Sequence, residues 1–212
     1  MWSKGKPLSE FNVAPRLNEK GMKITVYSAS SGQVPEVYLQ AADALGRELA
    51  RRGHTLINGA GRTGLMGRTA EACMQAGGSA IGVIPQFMID QGWHHQGLSQ
   101  MIVTEDMHRR KETMASLSDA CIALPGGVGT MEELLEIITW KQLGLYLKPI
   151  IVFNVEGYFN PLLEMLSRAA DERFMREQHR NIWCVATDAA EAVRLAETTP
   201  LWDSSVRKLA AL

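Results

Sequence analysis

Short apolar runs alternate with longer amphipathic stretches along most of this chain. Lys23–Tyr27, His54–Asn58, Ala80–Ile84, Met101–Thr104, Ala120–Leu124, Pro149–Phe153 and Ile182–Val185 read as strands. Between them the helical period runs through Pro35–Arg52, Leu65–Ala76, Met107–Leu117, Thr130–Leu143, a stretch after Pro161, and Ala189–Glu197. Pro35 suits the first turn of its helix and Gly53 the stop. Pro85 ends its strand, and an irregular segment with Trp93, His94 and His95 follows. Short apolar strands alternating with helices predict an α/β fold: one doubly wound parallel sheet with helices on both faces. We assign a single domain to residues 23–212. Residues 1–22 mix Pro, Gly, Lys and Asn without periodicity and read as an extended arm.

Ligands of such sheets bind beyond the carboxyl ends of the strands, which directs attention to three turns: Ser28–Gly32, Gly59–Gly64 and Pro125–Thr130. The last is the most informative. Pro125-Gly126-Gly127-Val128-Gly129-Thr130 joins a strand to a helix, and the free N–H groups of a first helical turn make an anion site. Glu133 stands one turn inside that helix. Thr130-x-x-Glu133 also has the spacing of a capping box, in which Glu133 reaches back to the Thr130 N–H. The two roles can coexist. Glu132 and Glu136 are expected to face solvent or a neighbouring helix.

Gly59-x-Gly61-x-x-Gly64 matches the dinucleotide fingerprint, but it follows the second strand. The region some 20 residues on, Ser79–Gly82, offers no acid for a ribose hydroxyl. A tight turn that lets a helix pack is the plainer reading of Gly59, and Arg62 within the turn suits an anionic ligand. His108-Arg109-Arg110-Lys111 follows a cap at Asp106 or Thr104 and so lies near a helix N-terminus. Cations there oppose the helix dipole by a few tenths to ~1 kcal/mol. Arg109 suits a solvated face, whereas Arg110 and Lys111 suit anion recognition. His94 and His95 are adjacent, His54 and His179 isolated, and no spacing resembles a metal site. No metal or other cofactor is expected.

Composition narrows the setting. The chain has 212 residues and a formal net charge of -1, which gives no global attraction to nucleic acid or to an anionic membrane. No apolar run approaches the roughly 20 residues that span a bilayer, and the N-terminus lacks the apolar core of a signal peptide. Cys73, Cys121 and Cys184 lie far apart and read as free thiols, two of them in apolar strand-like runs. We expect a cytoplasmic protein with no nucleic-acid or membrane partner. The helix from Thr130 is apolar around much of its circumference, which calls for a second cover beyond the sheet and predicts a homodimer.

Pro125-Gly-Gly-x-Gly-Thr-x-x-Glu133, Met107-His-x-Arg110-Lys111 and Gly61-Arg-x-Gly64-Leu-Met-Gly67 together resemble the LOG ("lonely guy") family, from about Lys23 to Leu195. Ser30-Ser31-Gly32 resembles its first-strand turn. Members are cytokinin riboside 5'-monophosphate phosphoribohydrolases, long mislabelled lysine decarboxylases. The resemblance implies a Rossmann-like fold, usually dimeric, that hydrolyses the N-glycosidic bond of a nucleoside 5'-monophosphate to free base and ribose 5-phosphate. It maps the catalytic pair onto Arg110 and Glu133. Substrate contacts map onto Lys111, onto Gly127, Val128, Gly129, Thr130, Met131 and Glu132, and onto Thr139. Gly126 joins them as part of the cradle, Ser31 from the first turn and Arg62 from the second. Gly92 stands where the family usually has a glutamate associated with nucleotide binding, which bears on base preference.

The chemistry suits these residues. Cleaving a ribosyl C1'–N bond builds positive charge on the sugar, which a carboxylate stabilises. Arg110 is expected to bind ribose or phosphate and to hold Glu133 ionised. The competing reading is a non-catalytic nucleotide-binding or cofactor-carrier protein of the same fold.

Overall fold

Seven parallel strands form one sheet in the order β4-β3-β2-β1-β5-β6-β7, in a computed structural model that describes residues 21–203. The strands are β1 (Lys23–Tyr27), β2 (Thr55–Asn58), β3 (Ser79–Pro85), β4 (Gln100–Thr104), β5 (Ala120–Ala123), β6 (Ile150–Phe153) and β7 (Cys184–Ala186). The helices are α1 (Glu36–Arg51), α2 (Gly64–Gln75), α3 (Gln86–Asp90), α4 (Met107–Leu117), α5 (Val128–Gln142), α6 (Asn160–Asp171) and α7 (Ala189–Thr198). The parallel α/β architecture expected from the pattern, and the Rossmann-like fold that the resemblance implies, are therefore observed. The arm assigned to residues 1–22 lies almost wholly outside the described residues. Met22 already belongs to the sheet, its N–H donating to His54 Nδ1 at 3.1 Å and its carbonyl accepting from the Thr55 N–H at 2.8 Å.

Burial on both faces explains why the strands read as apolar runs. Ile24 and Val26 pack with Leu45, Leu49, Leu65 and Val193 on the α1, α2 and α7 side. Tyr27, Cys121 and Val152 pack with Met114, Leu134 and Ile137 on the α4 and α5 side. Period-two alternation sends successive side chains into the two layers. Removing apolar surface from water at ~25 cal/mol per Å² is the main source of cohesion here.

The strand order reverses at β1. It pairs with β2 through Lys23↔Thr55 on one side and with β5 through Tyr27↔Ala123 on the other. Such a switch point opens a crevice beyond the carboxyl ends of the strands. Ser28, Gly59 and Pro125 stand at that edge.

Three local features go beyond what the pattern predicts. The segment after Pro85 begins with the single-turn α3, too short for a periodic signal. Cys73 and Cys121 are buried, but Cys184 is only partly so. Lys141 is 1% exposed, inside α5; it donates to the Lys148 carbonyl at 2.9 Å and lies over the Trp202 ring. Lys148 in turn donates to the Ala115, Ser116 and Ser118 carbonyls at the end of α4. Among the described residues no helix is long and apolar enough to cross a membrane.

Candidate active site

The turn after β5 is a cradle of unpaired peptide groups. Gly127 is extended (φ -80°, ψ -158°) and caps α5. The first intrahelical donor is the Met131 N–H, which bonds the Gly127 carbonyl at 3.1 Å. The N–H groups of Val128, Gly129 and Thr130 precede it and have no acceptor within the helix. A Cβ at Gly127 or Gly129 would meet nothing within 4 Å, so both face open space. Gly126 differs: a Cβ there would sit 2.1 Å from Thr130 Oγ1. Its carbonyl accepts from the Tyr158 hydroxyl at 2.6 Å, which holds the loop from behind.

This geometry overturns the capping box. The helix starts two residues earlier than expected, because extended Gly127 lets Val128 enter the helix. Thr130 is thus the third helical residue and buried, and it caps nothing. Glu133 stands in the second turn, past reach of the cap, with its carboxyl free for other work.

That carboxyl meets Arg110. Asp106 caps α4 by accepting from the Arg109 N–H at 2.8 Å. One residue further, Arg110 turns inward, Nε donating to the Val83 carbonyl at 3.1 Å and Nη1 lying 3.4 Å from Glu133 Oε1. The side chains of both partners are under 10% exposed, at 6% and 8%. Room for the guanidinium comes from Gly59, where a Cβ would lie 1.7 Å from Arg110 Nη2. Gly59 is therefore a clearance for Arg110 rather than a simple tight turn. Arg109 pairs with Glu112 at the surface, as a solvated face requires.

Burial pushes the Glu133 carboxyl up to about 7, opposed by the charges of Arg110 and Lys111 and reinforced by Glu132 and Glu136. Arg110 thus does not keep Glu133 fully ionised, because desolvation outweighs it. Near neutral pH both protonation states are populated.

Lys111 follows a different course. Its ammonium pairs with Glu132 and, at 3.1 Å, with Glu136. Burial works to lower its pKa, but hydrogen bonds to the two carboxylates outweigh that and raise it. Two acids expected at solvent or a neighbouring helix are what tie α5 to α4, and the tie sits beside the Arg110–Glu133 pair.

The pair opens into a cavity of about 480 Å³ at the switch point, within the ~300–1,000 Å³ common for small-molecule sites. Gly127, Gly129, Thr130 and Glu133 form one wall with Ser28–Ser31 beside them. Arg62, Thr63, Met66, Met88 and Trp93, from the turn after β2 and from the segments around α2 and α3, complete the lining, with Thr63 and Met66 bonded to the Ser30 and Ala29 carbonyls. Of the residues singled out in the sequence, Ser31, Arg62, Arg110, Gly127, Gly129, Thr130 and Glu133 line this space. Lys111, Gly126, Val128, Met131, Glu132 and Thr139 do not. Thr139 lies exposed three turns along α5 and donates to the Leu135 carbonyl at 2.8 Å.

The sequence points to the Ser28–Gly32 turn, though to Ser31 rather than Ser28 within it, and gives no sign that Met88, Trp93 and Tyr158 belong to the site. Ser28 is 3% exposed, and its Oγ bonds no described protein group. Leaving a buried hydroxyl without a partner costs about 1–3 kcal/mol, so a lining position suits a ligand contact. Its place at the carboxyl end of β1 was the available signal. Among the described residues no cluster of three or more His, Cys, Asp or Glu could hold a metal ion.

Fold and site together define a Rossmann-like protein with an anion cradle and a buried acid–guanidinium pair at its switch point. A family profile described as "Possible lysine decarboxylase" matches residues 66–196. The chain is 41% identical over 187 residues to cytokinin riboside 5'-monophosphate phosphoribohydrolase LOG5 of Arabidopsis thaliana, covering 88% of this chain and 82% of that protein. It is 39% identical over 198 residues to the probable phosphoribohydrolase LOGL2 of Oryza sativa subsp. japonica, covering 93% and 81%. This protein belongs to the LOG family. Among solved structures, the molybdenum cofactor carrier protein of Chlamydomonas reinhardtii superposes with a TM-score of 0.63 at 22% identity, over 82% of this chain and 95% of that one. At that identity the carrier shares the fold alone.

Proposed function

We propose that this protein hydrolyses the N-glycosidic bond of a nucleoside 5'-monophosphate, such as AMP or an N6-substituted AMP, releasing free base and ribose 5-phosphate. The observation that carries the reading is the buried contact of Arg110 and Glu133 beside the open amides of α5. The phosphorylated-riboside substrates in the relatives' names support it.

In this reading the phosphate rests on the N–H groups of Gly129 and Thr130 at the start of α5, where the helix dipole favours an anion. Anchoring it holds the ribose over the acid, so that remote binding energy aligns the reacting carbon. As C1'–N breaks, the electron pair leaves with the base and C1' becomes cationic. Ionised Glu133 stabilises that charge and takes a proton from the water that adds to C1', the departing base takes up a proton from solvent, and Glu133 returns its proton to solvent to complete the cycle. Arg110 contacts the ribose or phosphate and balances the acid's charge. Lys111, Glu132 and Glu136 position both partners by fixing α4 against α5.

Leu135, Leu143 and Leu145 remain exposed on and just after α5, which supports a homodimer with this face at its interface. The free thiols fit a cytoplasmic setting. The carrier alternative gives Glu133 no task, and a buried ionisable acid is costly to keep without one.

Incubating the protein with AMP and no added metal, then chromatographing the mixture, tests the proposal. Adenine and ribose 5-phosphate in equal amounts are expected. AMP bound but recovered intact would favour a carrier.

A further inference from the structure

The two walls of the cavity differ in kind. Toward β1 and β5 it presents glycine, serine, threonine and the acid. Toward β2 and β3 it presents its three large apolar side chains, Met66, Met88 and Trp93, with Arg62 and Thr63 beside them. A nucleotide has the same asymmetry, with a charged phosphate at one end and a planar apolar ring at the other.

Trp93 is unusual among these residues. The residue stays half exposed, at 51%, while its backbone is pinned from two sides. The Arg62 N–H donates to the Trp93 carbonyl and the Trp93 N–H to the Met88 carbonyl, both at 3.2 Å. The next residues bridge His94 to Gly61 and donate the His95 N–H to the Ala60 carbonyl at 2.8 Å. Ala60 is itself in the left-handed region (φ 60°), held there by Asn58 Oδ1 accepting its N–H at 2.9 Å. Gly92 before it has φ +69°, a conformation that costs an L-residue about 1–2 kcal/mol. A glutamate at this position would be strained, and glycine lets the chain reverse and present the following indole to the cavity.

We propose that Trp93 is the platform on which the substrate's base stacks, flanked by Met66 and Met88, and that it selects bicyclic purines over smaller pyrimidines. This rests on the nucleotide reading of the same site. A rigid aromatic face held at a cavity edge loses little freedom on stacking and prefers the ring with more area to cover.

Binding of AMP, CMP and ribose 5-phosphate is measured by calorimetry in a Glu133→Gln background, where turnover does not interfere. Adding Trp93→Ala is expected to weaken AMP roughly tenfold or more, in the range found for base–aromatic stacks. CMP should weaken less, and ribose 5-phosphate, which has no base, should be unchanged. Trp93→Phe should restore most of the AMP affinity. Equal weakening of all three ligands would make Trp93 a structural residue and overturn the inference, as would unchanged AMP affinity in Trp93→Ala. Adenine release by the wild-type protein is scored separately. If AMP binds but no adenine appears, hydrolysis is refuted, while the AMP-to-ribose-5-phosphate ratio still decides Trp93.

Discussion

Two glycine-rich turns border the crevice, and they look alike in sequence. In Gly59–Gly64 the missing side chains make way for the protein itself. Gly59 clears the Arg110 guanidinium, a Cβ on Gly61 would meet Met66 Sδ at 2.9 Å, and Gly64 (φ +66°) abuts the Ser30–Ser31 backbone. In Pro125–Thr130, Gly127 and Gly129 make way for nothing the chain supplies. A glycine signature therefore says only that a backbone approaches something closely. Whether that something is protein or ligand depends on what occupies the space a Cβ would take.

The largest test of this contrast removes the chemistry between the turns. Glu133→Gln is expected to lower kcat by roughly 10²–10⁴, the usual reach of one acid–base group, while AMP binding measured by calorimetry survives. Wild-type turnover in that variant would separate the acid from the reaction.

Next come the glycines themselves. Gly59→Ala puts a methyl where Arg110 Nη2 lies, so kcat should fall about 10²-fold or more as the guanidinium is displaced. Gly129→Ala projects into open space, and alanine favours a helix over glycine by roughly 0.5–1 kcal/mol. Its melting temperature should hold or rise while KM for AMP increases. If both variants lost stability and kept KM, the contrast would be wrong.

The third test is pH. Glu133 sits at about 7 in the folded chain against an ordinary 4.5, so the folded state holds this proton more tightly than the unfolded one. The burial penalty is absent below about pH 4.5, grows as pH rises, and levels off above 7, at on the order of 3 kcal/mol. Activity that needs the anion should rise through pH 7. Arg110→Met should move that limb to higher pH, since the guanidinium lowers the acid's pKa. Chemical denaturation across pH 4–8 should show wild-type stability declining relative to Glu133→Gln.

The smallest effect belongs to Tyr158→Phe. It removes one hydrogen bond to the Gly126 carbonyl, worth about 1 kcal/mol, and should loosen AMP binding several-fold with kcat little changed.

The sheet was legible because strands buried on both faces must be apolar throughout, as Ala120–Ala123 is, and helices between them keep their period. The cradle and the Arg110–Glu133 pair were legible because special residues cluster at strand ends, where crevices open. What escaped depended on local backbone conformation or on contacts between separate segments. Thr130 had the spacing of a cap, but the conformation of Gly127 decides where α5 begins. Lys141 carried no sign that Lys148 and Trp202 would enclose it. Trp93 lay in a stretch without periodicity, and only its backbone bonds to the second turn make it part of the site.

The lysines around the pair have a wider consequence. Lys111 staples the front ends of α4 and α5, while Lys148, itself held by Lys141, joins their rear ends. Two rods fastened at both extremities resist separation from either end, so on the proposed reading the alignment of the reactive groups comes from folding rather than from the arriving nucleotide.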